Sequence, residues 1–316
     1  MKVAFIFPGQ GSQSVGMGQA LAQAFPEARA ALDEADAALG GGLSKLISEG
    51  PEDELRKTAN TQPAILAVSV AAHRALVAQS QGRIQAACFA GHSLGEYSAL
   101  VAAGAIGLSD AVRAVRARGS FMQDAVPAGE GAMAAILGLD PASVAACCVE
   151  AEAQEAGTVV SPANFNSPEQ TVIAGHATAV DRAIALCKAK GAKRAMPLPV
   201  SAPFHCALMA PIVPRLRDVL SPLAFAKPSA PVIANVTAEP NDDPAAIIDL
   251  LLRQVSAPVR WVETVQKMAG LGVDTLIEIG PGKVLTGLAR RIDKSLRTFS
   301  VEDPAGVAAV LKEVSA

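Results

Sequence analysis

The chain has 316 residues, a net charge of −3, about half apolar residues and 3% aromatic residues. This length accommodates one large domain or two modest ones. The small net charge gives no reason to expect nucleic acid or an anionic membrane as a partner. The first apolar run is too short for a signal peptide, and no segment has the length of a membrane span. We therefore expect a cytoplasmic protein.

Strand and helix patterns alternate from the start of the chain. The segment VAFIFPG (3–9) predicts a buried strand that ends in a glycine turn, and AACFAG (86–91) predicts a parallel strand. Between them, residues 61–80 have the pattern of a helix with Thr61 as its N-cap. The alternation resumes after residue 200. This order indicates an α/β fold with a parallel-sheet core.

Residues 129–200 follow a different order of elements, β-α-β-β-α-β, which is that of a ferredoxin-like unit. We expect a small ferredoxin-like domain at 129–200. It would be inserted into a large domain that comprises residues 1–128 and 201–316.

Cysteine spacing indicates neither a disulfide framework nor a zinc site, because the number is odd and no Cys-x-x-Cys pair occurs. We expect reduced, packed thiols at all five positions: Cys88, Cys147, Cys148, Cys187 and Cys206.

The stretch GHSLG places Ser93 between two glycines, after the predicted strand 86–91 and before a helical pattern. A nucleophile elbow has this context, because its sharp turn leaves no room for side chains beside the serine. The following helix also directs its free N–H groups toward the serine. The alternative is a structural serine in a polar turn.

A serine nucleophile needs a base, and the chain contains four histidines. His92 is adjacent to Ser93, so the two side chains diverge, while His73 lies within a predicted helix and His176 ends a strand pattern. His205 lies where the chain rejoins the large domain, beside the expected cleft. It is therefore the best candidate base, although a structural role remains open.

An oxyanion formed by attack on a carbonyl needs two donors. The backbone N–H of Leu94, directly after the serine, is one candidate. The loop FPGQGSQ (7–13) offers the second at Gln10. The alternative for this loop is a phosphate-binding turn, but it lacks the P-loop lysine and the dinucleotide spacing.

Seven segments in order resemble one family: FPGQGSQ, GHSLGEYSAL, RARGSFMQ, PANFNSPEQTVIAG, PFHCALM, LLRQVSAPVRW and EIGPGKVLTGL. They are similar to malonyl-CoA:acyl carrier protein transacylases of type II fatty acid synthesis. The resemblance extends from the first strand to about residue 292. It implies an α/β-hydrolase-like large domain with a ferredoxin-like small one, and it implies no cofactor.

The resemblance also implies a ping-pong reaction through a malonyl ester of Ser93, with His205 as general base and then general acid. The backbone N–H groups of Gln10 and Leu94 would form the oxyanion hole. The backbone carbonyl of Gln254 would orient the histidine.

Arg118 matches the family's arginine that pairs with the free carboxylate of malonate. A guanidinium is suited to this because it binds carboxylates bidentately and keeps its charge. Arg113 and Arg116, on the same predicted helix, are interpreted as solvated surface charges. Phe204, before the histidine, resembles the residue of malonyl-selective members, so malonyl-CoA is expected to have a higher kcat/KM than methylmalonyl-CoA.

The implied partners are a coenzyme A ester and acyl carrier protein, and we expect a monomer. Because carrier proteins of this class are acidic, a basic docking surface is expected, with KAKGAKR (188–194) and ARRIDK (289–294) as candidates. The alternative, preferred for either segment taken alone, is ordinary helix-end charge.

Two other functions share these features. A serine hydrolase such as a thioesterase has the same elbow and base but admits water to the acyl-enzyme. A non-catalytic module on this fold would not need the expected catalytic positions, and here all of them are filled.

Overall fold

The computed structural model describes residues 1–127, 129–200 and 202–314. The domain boundaries that the sequence predicts at 128 and 201, and the last two residues, lie outside the described residues. Within them, two sheets are formed by the following strands: β1 Val3–Phe7, β2 Ala86–Gly91, β3 Gly131–Leu137, β4 Val160–Ser167, β5 Gln170–His176, β6 Arg194–Pro197, β7 Val232–Ile233, β8 Pro240–Asn241, β9 Thr275–Ile279 and β10 Arg297–Val301.

The helices cover both sheets, and a short 3-10 helix spans Ala207–Ile212. The α-helices are α1 Gln19–Ala24, α2 Pro26–Ala38, α3 Leu43–Glu49, α4 Glu52–Arg56, α5 Thr58–Ser80, α6 Gly95–Ala102, α7 Leu108–Gln123, α8 Pro141–Ala153, α9 Ala177–Ala189, α10 Val213–Leu220, α11 Pro244–Gln254, α12 Trp261–Gly270, α13 Val284–Ile292 and α14 Pro304–Val314.

The larger sheet has six strands in the order β10-β9-β1-β2-β7-β8. All neighbours pair in parallel except β7 and β8. All five residues of β1 are buried, as expected for a central strand covered by helices on both faces. The α/β class and the parallel-sheet core that the sequence predicts are therefore confirmed.

The predicted helix at 61–80 begins earlier than expected. Helix α5 starts at Thr58 with Lys57 as its N-cap, so the prediction of Thr61 as N-cap is wrong. The Thr61 hydroxyl instead donates to the carbonyl of Leu55 at 2.5 Å, at the end of the preceding helix. Thr61, predicted as the N-cap of one helix, therefore donates to a carbonyl at the C-terminal end of another.

The smaller sheet has four antiparallel strands in the order β4-β5-β3-β6. Its two faces pack differently. Ala134 and Ile136 of β3 pack with residues of α8 and α9, while Met133 and Ala135 join the main core. Strand β4 also contacts the segment between α11 and α12, because the Phe165 amide donates to the Val259 carbonyl at 2.9 Å.

All five cysteines are free and buried, as the sequence predicts. In the part of the chain that the structure describes, no group of His, Cys, Asp or Glu side chains could hold a metal ion. A search of the same residues finds no helix with the length and apolar character required to cross a bilayer.

The turn after β2 packs backbone against backbone. A Cβ added to Gly95 would lie 2.1 Å from the carbonyl oxygen of Phe7, and one added to Gly91 would lie 1.9 Å from that of Gly95. The end of β1 therefore crosses the start of α6 with no room for a side chain. This crossing brings the loop after β1 next to Ser93.

We expect Gly95→Ala to lower the free energy of unfolding by about 3 kcal/mol, because backbone must move to admit the methyl group. Gly287→Ala is the matched control, since this helical glycine has no neighbouring atom within 4 Å of an added Cβ. That control should raise the free energy by about 0.5–1 kcal/mol. Urea unfolding measures both, and a Gly95→Ala variant as stable as wild type would contradict the close crossing.

Candidate active site

Ser93 occupies the sharp turn between β2 and α6 and has a φ of 52°, in the left-handed region. A non-glycine residue adopts this conformation only where its surroundings enforce it. Here Asn235 does so, because its Oδ1 accepts from the Ser93 amide at 2.7 Å and its Nδ2 donates to the Gly91 carbonyl at 2.6 Å. The elbow geometry that the sequence predicts is present.

His205 meets Ser93 directly, with 2.6 Å between His205 Nε2 and Ser93 Oγ. On the other side of the ring, Nδ1 lies 3.0 Å from the carbonyl oxygen of Gln254. Because a carbonyl only accepts, Nδ1 carries the proton, and Nε2 of the neutral ring faces the serine as an acceptor. A backbone carbonyl thus takes the position that a carboxylate has in a Ser-His-Asp triad.

Burial, assisted by the positive charge of Arg118, lowers the pKa of His205 to about 3. The hydrogen bond to the Gln254 carbonyl opposes this shift. The imidazole is therefore neutral around pH 7. A neutral imidazole is the form that can remove a proton from serine.

The other histidines have different partners. His92 Nε2 lies 2.8 Å from Asn166 Oδ1, so this ring faces the small sheet. The half-buried ring of His73 packs against Phe5 and Phe89, and His176 accepts from a backbone amide. His205 is therefore the histidine that the fold brings to Ser93, as the sequence predicts.

Arg118 is 1% exposed and projects from α7 toward the elbow. Its Nη1 donates to Gln62 Oε1 at 2.8 Å, and its Nη2 donates to Gln254 Oε1 at 2.9 Å. Nη2 also lies 3.3 Å from Ser93 Oγ, while Nε has no partner among the described residues. A permanent cation with spare donor capacity therefore reaches the serine oxygen.

The other two arginines of α7 lie farther out. Arg113 forms an exposed pair with Asp110, as a solvated surface charge would. Arg116 also lies at the surface, where it is half-buried and donates to the side chain of Asn60. Helix α7 passes close enough to α5 for the Arg116 guanidinium to reach Asn60.

Two backbone amides beside the elbow have no acceptor in the part of the chain that the structure describes. Among the described residues, neither the Gln10 amide nor the Leu94 amide donates a hydrogen bond. A Cβ on Gly9 would lie 2.5 Å from the carbonyl oxygen of His92, so the loop after β1 packs onto the elbow. The side chain of Gln10 turns away and donates to Thr58 Oγ1 at 3.3 Å.

Two cavities meet at Gln10. One has a volume of about 230 Å³ and is lined by the 8–12 loop, His92, Asn166 and Leu198 among others. The other, about 590 Å³, extends past Arg56 and Pro199. Phe204, directly before the candidate base, is 8% exposed. Gln10 thus lines both cavities, and His92 of the elbow lines the smaller one.

Sequence reasoning missed three polar residues that build this site. Asn235 clamps the elbow, Gln62 holds Arg118, and Glu96 accepts from the side chain of Gln254 at 2.8 Å. All three are at most 3% exposed. Burial raises the pKa of Glu96 to about 7, against the opposing effects of its hydrogen bonds and of Arg118. Of these three residues, only Glu96 could have been found from the sequence, because it lies within the segment GHSLGE.

Comparison with known proteins gives a consistent result. Residues 4–311 match the family model described as an acyl transferase domain. The malonyl CoA-acyl carrier protein transacylase of Escherichia coli strain K12 is 54% identical over 309 residues, covering 98% of each chain. That of Bacillus subtilis strain 168 is 49% identical, covering 96% of this chain and 94% of the relative.

Solved structures agree with these matches. An acyl carrier protein S-malonyltransferase from Vibrio cholerae is 52% identical, with a TM-score of 0.94 over 98% of this chain and 100% of the other. A malonyl-transacylase in complex with its type II PKS acyl-carrier protein is 50% identical, with a TM-score of 0.95 over 99% and 100%. The chain is therefore an acyltransferase. It belongs to the malonyl CoA-acyl carrier protein transacylase family, as its motifs predict.

Proposed function

We propose that this chain transfers malonyl from malonyl-CoA to the phosphopantetheine thiol of acyl carrier protein by a ping-pong mechanism. The observation that carries the proposal is a serine and a neutral histidine 2.6 Å apart beside a buried guanidinium. Its relatives are named for malonyl transfer to carrier protein, which supports the choice of substrates. Every step uses side chains and backbone groups of the chain itself, with no cofactor.

In the first half-reaction, His205 Nε2 accepts the Ser93 proton while Oγ attacks the thioester carbonyl. The tetrahedral intermediate collapses, its C–S bond breaks, and the imidazolium protonates the departing thiolate of coenzyme A. In the second half-reaction, the carrier-protein thiol gives its proton to His205 and attacks the malonyl ester. The C–O bond to Ser93 then breaks, and His205 returns the proton to Oγ.

The oxyanion of each tetrahedral intermediate would be bound by the amides of Gln10 and Leu94. Both are free to donate within the described residues, and both flank the elbow. Preorganised donors of this kind typically contribute about 3 kcal/mol each to transition-state stabilisation.

Arg118 would bind the free carboxylate of the malonyl group. Its uncommitted Nε, and the Nη2 group that now contacts Ser93, provide donors for it. An acyl group without a carboxylate would leave the buried cation without an anionic ligand, which disfavours it. The ring of Phe204, next to the base, would fill the space that an α-methyl branch needs.

We also propose the domain division given by the sequence, with a ferredoxin-like domain at 129–200 inserted into an α/β-hydrolase-like domain. The strand order β4-β5-β3-β6 and the chain order β3-α8-β4-β5-α9-β6 support it. The separate core that α8 and α9 share with one face of the small sheet supports it too. The two sheets would then form the walls of the acyl cleft.

The nucleophile and the acyl class are tested together by intact-protein mass spectrometry after incubation with malonyl-CoA. We expect one malonyl adduct located at Ser93, and no adduct on Ser93→Ala. Added carrier protein should remove the adduct, while buffer alone should do so slowly. Rapid loss to water without carrier protein would instead indicate a thioesterase, and an adduct elsewhere would exclude Ser93.

The carrier-protein surface is proposed at one edge of the small sheet. Lys193, Arg194 and Arg291 are exposed and line one cavity of about 250 Å³, so the two predicted basic segments meet there. Glu169 also lines it and lies 3.7 Å from Lys193 Nζ, so this acidic neighbour pairs with the lysine rather than with the two arginines. Gln170 lines both this cavity and the 230 Å³ cavity beside the elbow. We call Lys193, Arg194 and Arg291 the basic rim. From the same segment, Lys188 lies on α9, and Lys190 follows it as the C-cap residue and pairs with Glu150 at 3.3 Å.

Charge reversal of the basic rim to glutamate should raise KM for carrier protein about tenfold and leave KM for malonyl-CoA unchanged, because an acidic partner loses its complementary charge. Reversal of three exposed lysines outside the rim, Lys45, Lys227 and Lys312, to glutamate is the control for the same change in net charge. Steady-state kinetics with each substrate varied separately measures both constants. Unchanged values for the rim variant would exclude this surface, and a similar rise in the control would indicate a net-charge effect only.

A further inference from the structure

Glu96 is a fully buried carboxyl group that the proposed reaction does not use. It lies in the first turn of α6, shortly after Ser93, and is 3% exposed. Burying a carboxylate is costly unless hydrogen bonds and a counter-charge compensate it. The contacts of Glu96 show which neighbouring groups this buried carboxyl holds in place.

One oxygen of Glu96 holds two donors. Oε2 accepts from the side-chain Nε2 of Gln254 at 2.8 Å and from the Asn235 amide at 3.0 Å. The Nε2 group of Gln254 also donates to the Ser93 carbonyl at 3.1 Å. Both amide protons of Gln254 are therefore used at the elbow.

The other end of the Gln254 side chain faces Arg118, where its Oε1 accepts from Nη2 at 2.9 Å. An ionised carboxylate only accepts hydrogen bonds, and a guanidinium only donates them. Between these two partners, one orientation of the amide satisfies both. The reversed orientation would set an N–H group against the guanidinium and an oxygen against the carboxylate.

Gln254 therefore contacts the three candidate site residues Ser93, His205 and Arg118 as well as Glu96. Its backbone carbonyl accepts from His205, and its side chain joins Ser93, Arg118 and Glu96. The side-chain and backbone contacts are separable by mutation, because any residue at 254 keeps the carbonyl. An effect on Arg118 can thus be tested without removing the group that orients His205.

We propose that Glu96 is a positioning residue for recognition of the substrate carboxylate: it fixes the Gln254 amide, which in turn holds the Arg118 guanidinium in its binding position. This inference rests on the proposed role of Arg118 in binding malonyl. Glu96 itself touches neither the substrate nor the reacting atoms. Its influence reaches the reaction through selectivity for an acyl group that carries a carboxylate.

The test compares the rate of acyl-enzyme formation from malonyl-CoA and from acetyl-CoA, because acetyl lacks the carboxylate. Mass spectrometry follows this rate over a range of acyl-CoA concentrations, which gives kcat/KM and KM for each substrate. Glu96→Leu removes the acceptor at similar size and should lower the malonyl-to-acetyl ratio of kcat/KM on the order of tenfold, mainly through a higher KM for malonyl-CoA. Glu96→Gln keeps an acceptor oxygen and should retain most of the ratio. A purely structural loss would slow both substrates alike.

Gln254→Met removes the side-chain amide and should give the same loss of ratio as Glu96→Leu. In the double variant the two losses should not add, because they interrupt one chain of contacts. If Glu96→Leu fails to fold, Gln254→Met and Glu96→Gln still test the inference. Glu278→Leu, which removes another buried carboxyl from the amides of Leu285 and Thr286, is the matched control and should keep the ratio.

Arg118→Ala separates this inference from the function on which it rests. If Arg118→Ala keeps the malonyl preference, the proposed role of Arg118 is wrong. If Arg118→Ala abolishes the preference while Glu96→Leu or Gln254→Met retains it, only the positioning role is overturned. Additive losses in the double variant, or a Glu96→Gln variant as impaired as Glu96→Leu, would overturn it as well.

Discussion

Keeping a guanidinium buried beside the serine is the constraint on which the rest of the site depends. An isolated buried cation costs several kcal/mol, so it persists only with compensating partners. Arg118 has Gln62 and Gln254 as acceptors, the ring of Tyr97 with its centroid 5.6 Å away, and the nearby carboxyl of Glu96. The same partners place its charge where an acyl group on Ser93 would lie.

The fold brings these partners together from distant parts of the chain. Ser93 follows β2, Asn235 follows β7, and the loop with Gln10 follows β1, so all three lie at the carboxyl end of the parallel strands. Ligand sites of α/β sheets form at this edge. Gln254 ends α11 and His205 lies in the loop before the 3-10 helix, and both reach the same edge from outside the sheet. The close backbone crossing at Gly95 fixes the distance between the loop after β1 and the serine.

The two buried titratable groups at this edge, His205 and Glu96, have pKa values shifted in opposite directions. The pKa of His205 is lowered, which keeps this candidate base neutral, while the pKa of Glu96 is raised to about 7. Burial drives both shifts, since it disfavours the charged form of each group. The Arg118 charge lowers both pKa values, so it favours a neutral histidine and an ionised glutamate. The cation is thus electrostatically linked to the base as well as to the proposed substrate carboxylate.

Local sequence patterns predicted the α/β class and the strand–turn–helix context of Ser93, because glycine spacing and hydrophobic periodicity are local. His205 could be selected as the histidine near Ser93 because the chain has only four histidines. Arg118 was distinguished from its two neighbours only by family resemblance. Asn235, Gln62 and the contacts of Glu96 were not predictable, since hydrogen bonds between residues such as Ser93 and Asn235, 142 positions apart, leave no local pattern. Thr61 illustrates the reverse error, in which a local cap pattern was overridden by a tertiary contact.

The most direct measurement is a crystal structure of the malonylated protein. We expect the ester on Ser93, its carbonyl oxygen within about 3 Å of the Gln10 and Leu94 amides, and its carboxylate paired with the Arg118 guanidinium. A carboxylate directed to solvent, with Arg118 still bound only to Gln62 and Gln254, would contradict the central claim that this buried cation selects the acyl group.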